Sequence, residues 1–213
     1  DLPAFIHRLL TEESDDDAAE WIYEVLQHPV AEVIHAVGLN VNTGEHQIVT
    51  QQVRDLVRSL VQFQQADTVQ VALVHAHVAV GILQANIHFA RSPTLTALST
   101  ELNQLVENIE NALAEAQRPN GDLARVTNLI RGCVDPRANL GANYIRHLLP
   151  DMLVPLCENL ERAVQDVELV REAFEQRDYS VLARRLAWLL EDPQVRYFVP
   201  TPMQAHIALA KEA

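Results

Sequence analysis

The stretch VALVHAHVAVGILQANIHFA (Val71–Ala90) places His75, His77 and His88 within fourteen residues. Imidazoles ligate zinc and other transition metals and titrate near neutral pH, so the cluster raises metal binding and proton chemistry together. The backbone decides between them. On a strand, alternate residues share a face, and His-x-His is then a metal-ligand pattern. On a helix, residues two apart point about 200° apart, so His75 and His77 diverge. In one helix from Val69 to Phe89, His77 and His88 share a face but stand roughly 16 Å apart along the axis. One metal at about 2 Å from each ligand cannot bridge that gap. Val69, Val71, Val74, Val78 and Val80 would suit a strand, but no glycine-rich barrel pattern surrounds them and no run of strands follows. The expectation is a helix with partly buried histidines bonded to neighbouring helices, and no metal site.

A second stretch with chemistry in it is RPNGDLARVTNLIRGCVDPRANLGANYIRH (Arg118–His147). Five arginines, Arg118, Arg125, Arg131, Arg137 and Arg146, face only Asp122 and Asp135, a local charge of +3. Asn120, Asn128, Asn139 and Asn143 lie among them, with Tyr144 as a stacking ring. Guanidinium groups bind phosphate, amides read base edges, and an aromatic ring stacks on a base, so the segment suits single-stranded nucleic acid. Helix starts near Asp122 and Pro136 add backbone N–H donors for phosphate. The nucleic-acid-binding set expected here is Arg118, Arg125, Arg131, Arg137, Asn139, Asn143, Tyr144 and Arg146. The competing expectation pairs these arginines with the acidic N-terminal half, within the chain or across a subunit contact.

Other chemistry is sparse. The sequence has no P-loop, no G-x-G-x-x-G and no G-x-S-x-G, so no catalytic or cofactor motif and no cofactor are expected. EESDDD (Glu12–Asp17) lacks calcium-loop spacing and reads as a helix start. Cys133 and Cys157 are 24 residues apart, without a C-x-x-C motif, and read as buried free thiols in a reducing compartment.

The elements that must position these groups read as helices. Ser14, Thr50, Ser92, Asp122, Asp135, Asp151, Asp178, Asp192 and Thr201 look like caps, several followed by proline, and Gly132 like a helix stop. From Pro93 to Gln117, Leu95, Leu98, Leu102, Leu105, Ile109 and Ala112 alternate steps of three and four. Asp151–Gln176 repeats the pattern through Leu153, Leu156, Leu160, Ala163, Val167, Val170 and Phe174, and Val53, Leu56, Leu60 and Phe63 give a shorter version. Stripes widened by neighbouring aliphatics indicate a globular bundle. Only GLNVNTGEHQIV (Gly38–Val49) looks extended, with Asn42-Thr43-Gly44 as a turn, and reads as a small hairpin or a loop. The predicted fold is all-α, a bundle of about eight to ten helices with at most one short hairpin near 38–49. It forms a single domain over 1–213, with a candidate sub-boundary at 118–122.

Composition sets the remaining limits. Hydrophobic residues make up 48% of the chain and aromatics only 5%, so the core must be aliphatic. Net charge is −13 and uneven: residues 1–117 carry 4 Arg against 16 acids, residues 118–213 carry 11 Arg and 1 Lys against 13. Bulk acidity opposes indiscriminate binding to nucleic acid or anionic membrane. Residues 68–90 contain no Asp, Glu, Lys or Arg, a length that would cross a bilayer, but seven polar residues interrupt them, so no membrane is expected. The chain opens on Asp1 without a signal-peptide layout and reads as a processed or excised segment. The proline-punctuated C-terminal stretch, with Tyr197, Phe198 and Met203, reads as a subunit contact. Together these point to a non-enzymatic assembly protein, cytoplasmic or in a virion. It would be a homo-oligomer whose arginine–asparagine segment contacts single-stranded nucleic acid, as in a viral coat or nucleocapsid. The alternative is a helical regulatory or adaptor domain that binds a protein or a small ligand.

Overall fold

Side-chain caps start most of the helices. Thr43, Thr68, Ser92, Asp178 and Asp192 each accept a first-turn backbone N–H, from His46, Val71, Leu95, Val181 and both Gln194 and Val195 respectively. Each such cap stabilises its helix by about 1 kcal/mol. The computed structural model describes residues 1–12, 16–134 and 144–213, the side chains of 16–18 excepted. Among the described residues the chain is 83% helical, with thirteen α-helices, nine of them at least seven residues long, and no strand. The fold is an all-α, multi-helix one.

The chain forms two compact units. The first holds α1 (Leu2–Thr11), α2 (Asp16–Val37), α3 (Gly44–Gln64), α4 (Val69–Ala85), α5 (Ile87–Ala90), the start of α6 (Pro93–Gln117) and a 3-10 turn at Ile145–His147. Here α3 packs along α4, and α1 along α2. The core is aliphatic around Phe63 and Phe89: Leu9, Ile22, Leu26, Ile34, Leu56, Leu60, Leu95 and Leu98 are all buried. The second unit holds the end of α6, α7 (Leu123–Val134), α8 (Leu153–Leu169), α9 (Arg171–Gln176), α10 (Tyr179–Leu186), α11 (Trp188–Glu191), α12 (Pro193–Phe198) and α13 (Thr201–Glu212). Here α7 packs on α8, and α10 on α13. Residues 118–122 form the turn between α6 and α7, inside the second unit.

Several local expectations are corrected. Residues 38–49 form no hairpin. Gly38, at φ +105°, ends α2, and its N–H donates to the Ile34 and His35 carbonyls. Asn40 then accepts the Asn42 N–H, and Thr43 caps α3, so the Asn-Thr-Gly signal is a helix start. Thr50 therefore lies inside α3, where its hydroxyl donates to the Gln47 carbonyl. Val69–Phe89 is not one helix: Asn86 is extended and its side chain restarts the chain as α5 by accepting the His88 N–H. Val170 breaks the long seam between α8 and α9. Gly132 lies inside α7, Met152 rather than Asp151 precedes α8, and Thr201 is the first residue of α13, its hydroxyl donating to the Ala116 carbonyl. Ser14, Asp135 and most of Glu12–Asp17 lie outside the residues described in full. The C-terminal stretch builds its own unit's core, with Val195, Phe198, Val199 and Ile207 fully buried.

Both cysteines are free and buried. Burial pushes the Cys133 thiol up to about 12, and burial together with the neighbouring Glu161 carboxylate pushes Cys157 up to about 11, from an ordinary value of 9.0. Folded thiols keep their protons where unfolded ones would release them. Their contribution is complete below pH 9 and is lost as pH rises through 9 towards 11 and 12. Stability should fall by about 1 kcal/mol per thiol between pH 8 and pH 10, and Cys133→Ala should show a smaller fall in a urea titration. In the native protein at pH 8 a thiol reagent should titrate neither cysteine until denaturant is added. Immediate reaction of both thiols would contradict the burial.

Candidate functional site

The α6–α7 turn is the best-organised polar feature in the arginine-rich segment. After α6 ends at Gln117, the Arg118 N–H donates to the Glu115 carbonyl at 3.2 Å and the Gly121 N–H to the Arg118 carbonyl at 3.1 Å. A Cβ at position 121 would stand 2.3 Å from the Glu115 carbonyl oxygen, so only glycine lets the chain return this closely. Asp122 then caps α7 by accepting the Ala124 N–H at 2.9 Å.

The side chain of Glu115 faces into this turn and is 8% exposed. Its Oε1 accepts the Asp122 N–H at 3.2 Å and lies 4.0 Å from Arg125 Nη1, and its Oε2 lies 3.0 Å from Arg118 Nη1. The two arginines are 59% and 67% exposed. Glu115 holds Arg118 by one short contact, while Arg125 lies beyond hydrogen-bond range of the same carboxylate, and both five-donor guanidiniums keep donors facing outward. Asn111, Asn128 and Leu129 complete a groove of about 510 Å³ around them. At its rim Arg131 donates from Nη1 to Asn128 Oδ1 at 2.7 Å and from Nε to Glu161 Oε1 at 2.8 Å. The groove can hold an oxyanion between the Arg118 and Arg125 guanidiniums, with amides beside it.

Of the eight residues expected from sequence, Arg118, Arg125 and Arg131 gather here. Arg137, Asn139 and Asn143 lie outside the described residues. Tyr144 and Arg146 belong to the first unit. There the Glu101 carboxylate, itself buried, accepts the Tyr144 and Ile145 N–H groups at 3.0 Å each. Arg146 Nε donates to His147 Nε2 at 3.1 Å, and the His147 ring stacks on Trp21 at 4.7 Å and 12°. Glu115 belongs to the acidic first half, Glu161 does not, and neither covers the guanidinium it holds. Sequence reasoning overlooked Trp21, Glu101 and Glu115, and nothing in their local spacing marks them, because their partners are distant or set by the turn. On α10, Arg184 and Arg185 are exposed at the helix surface.

The histidines take separate roles. His75 and His77 lie on α4, while His88 in α5 bonds Glu45 at 2.8 Å. The face once shared by His77 and His88 in a continuous helix is removed by the Asn86 break. Among the described residues no three His, Cys, Asp or Glu side chains gather to hold a metal ion, and no helix is long and apolar enough to cross a membrane.

Compared with protein-family models, curated proteins and solved structures, the chain matches none of them.

Gly121→Ala should lower stability by about 1–3 kcal/mol, because the added methyl meets a backbone carbonyl that cannot move without opening the turn. Glu115→Gln should cost less than Glu115→Ala, since the amide oxygen still accepts the Asp122 N–H. Urea midpoints of the three variants check both statements, and a wild-type midpoint for Gly121→Ala would contradict the turn geometry.

Proposed function

We propose that the chain is a non-enzymatic assembly subunit, a homo-oligomer whose α6–α7 groove contacts the backbone of single-stranded nucleic acid. A viral coat or nucleocapsid subunit, working in the cytoplasm or a virion, is its concrete form. The observation that carries the reading is the groove where Arg118, held by the buried Glu115, and Arg125, 4.0 Å from the same carboxylate, both stay exposed to solvent. The short contact to Glu115 pre-orients Arg118 and lowers the entropy it loses on taking a phosphate. Asn111 and Asn128 offer amides beside that phosphate, and Asn128 links the groove to Arg131. The acidity of the rest of the chain is compatible with this: it keeps nucleic acid from binding elsewhere and holds unassembled copies apart.

An adaptor that binds a small ligand is the second reading, and one observation favours it. In the second unit, Leu190, Pro193, Arg196, Tyr197, Thr201 and Gln204 line a cavity of about 590 Å³, within the range of small-molecule sites.

Fluorescence anisotropy with a labelled single-stranded RNA tests the first reading. With two or three phosphates engaged, the logarithm of affinity should fall against the logarithm of salt with a slope of roughly −1.5 to −2. Arg118→Ala with Arg125→Ala should weaken binding on the order of tenfold and flatten the slope by about one or more. Binding that is absent, or insensitive to both salt and the double substitution, would reject the groove as a nucleic-acid contact.

A further inference from the structure

α4 has an outward face with no charge on it. Its buried side is set by Val69, Ala72, Ala76, Ala79, Val80 and Leu83, which pack in the first unit. On the other side Val71, Val74 and Val78 are 42%, 58% and 46% exposed, followed at the same heptad spacing by exposed Gly81 and Ala85. No Asp, Glu, Lys or Arg occurs from Thr68 to Ala90. Among the described helices of more than six residues, α4 alone has no charged residue. Exposed Gln70, His77 and Gln84 flank this stripe, so the outward face of α4 is uncharged, with an apolar centre and polar margins.

Charge and size identify the occupant. In a chain of net charge −13, a face without carboxylates is one where two copies can meet without like-charge repulsion. A basic partner would gain nothing from this face, and an anionic membrane surface would find no cation on it. The side chains also taper, from valines at one end to Gly81 and Ala85 at the other. Antiparallel pairing matches the large end of one helix with the small end of its copy. With a twofold axis at Val78, Val71 lies opposite Ala85, Val74 lies opposite Gly81 and Ile82, and Val78 meets its own copy. A parallel pair would instead stack valine on valine and leave a gap at Gly81. The space around Gly81 is open, with no atom within 4 Å of a would-be Cβ, so the backbone there is free for close approach. Asn86 bonds Gln52 and His88 bonds Glu45, which ties α5 to α3 just beyond the Ala85 end of α4.

We infer that the chain forms a twofold homodimer through the outer face of α4, paired antiparallel about Val78. This rests on the assembly reading for its biological sense but not on the arginine groove, and it can stand if that groove binds nothing. A helix of seventeen residues is about 25 Å long, a narrow seam, so the dimer should dissociate in the micromolar range.

Sedimentation of the nuclease-treated chain at high salt, from about 1 to about 200 µM, tests it. High salt removes any bridging by nucleic acid, so failure here is separable from failure of RNA binding. The wild type should pass reversibly from 23.9 kDa to twice that mass. Gly81→Leu has room within its own chain and replaces a poor helix former, so its melting temperature should hold or rise while the dimer weakens on the order of tenfold or more. Val78→Glu should be monomeric, because it places two carboxylates together at the axis. A wild type that stays monomeric throughout, or an oligomer that neither substitution weakens, overturns the proposal.

Discussion

The burial of one carboxylate, Glu115, against the α6–α7 turn organises the polar half of this protein. The turn closes because Gly121 carries no side chain, and the Glu115 carboxylate then takes the Asp122 N–H and holds Arg118, with Arg125 nearby. Removing such a buried group leaves its donors without partners, which costs more than the bonds alone are worth. α6 uses the same device once more in the first unit, where Glu101 gathers the Tyr144 and Ile145 N–H groups ahead of the 3-10 turn. In each unit a buried acid on α6 fixes where a non-helical segment begins and which way its polar side chains leave it.

The apolar framework around these anchors is aliphatic, so it depends on helix seams rather than on large aromatic anchors. Three phenylalanines, Phe63, Phe89 and Phe198, are the largest fully buried side chains, and leucine, isoleucine and valine fill the rest. Such seams bury one stripe per helix and leave the opposite side to charge. α4 departs from that pattern, which is why its outer valines carry an argument that a scattered exposed leucine would not.

How much of this could be read from the sequence depended on the range of each interaction. Ser92, Asp122, Asp178 and Asp192 were legible as caps because a cap bonds two or three residues ahead. The seam from Leu95 to Ala112 was legible because the period itself is the signal. Thr43 was misread because Asn-Thr-Gly serves a hairpin and a helix start equally, and Asn86 was missed because an asparagine inside an apolar run gives no sign that it will interrupt it. Arg118, Arg125 and Arg131 could be proposed together from composition, but Glu115 and Glu161 as their partners could not, since that choice is made by the turn and by α7 packing on α8. Trp21 stacks on a residue 126 positions away, and no local pattern encodes that.

In the proposed function this acidic helical chain assembles around nucleic acid. Light scattering across a size-exclusion peak, with absorbance recorded at 260 and 280 nm, tests it most directly. The account predicts particles heavier than a dimer with excess absorbance at 260 nm, collapsing to a protein-only species after nuclease and high salt. A protein-only spectrum from the outset, at 23.9 kDa or at any other mass, would contradict it.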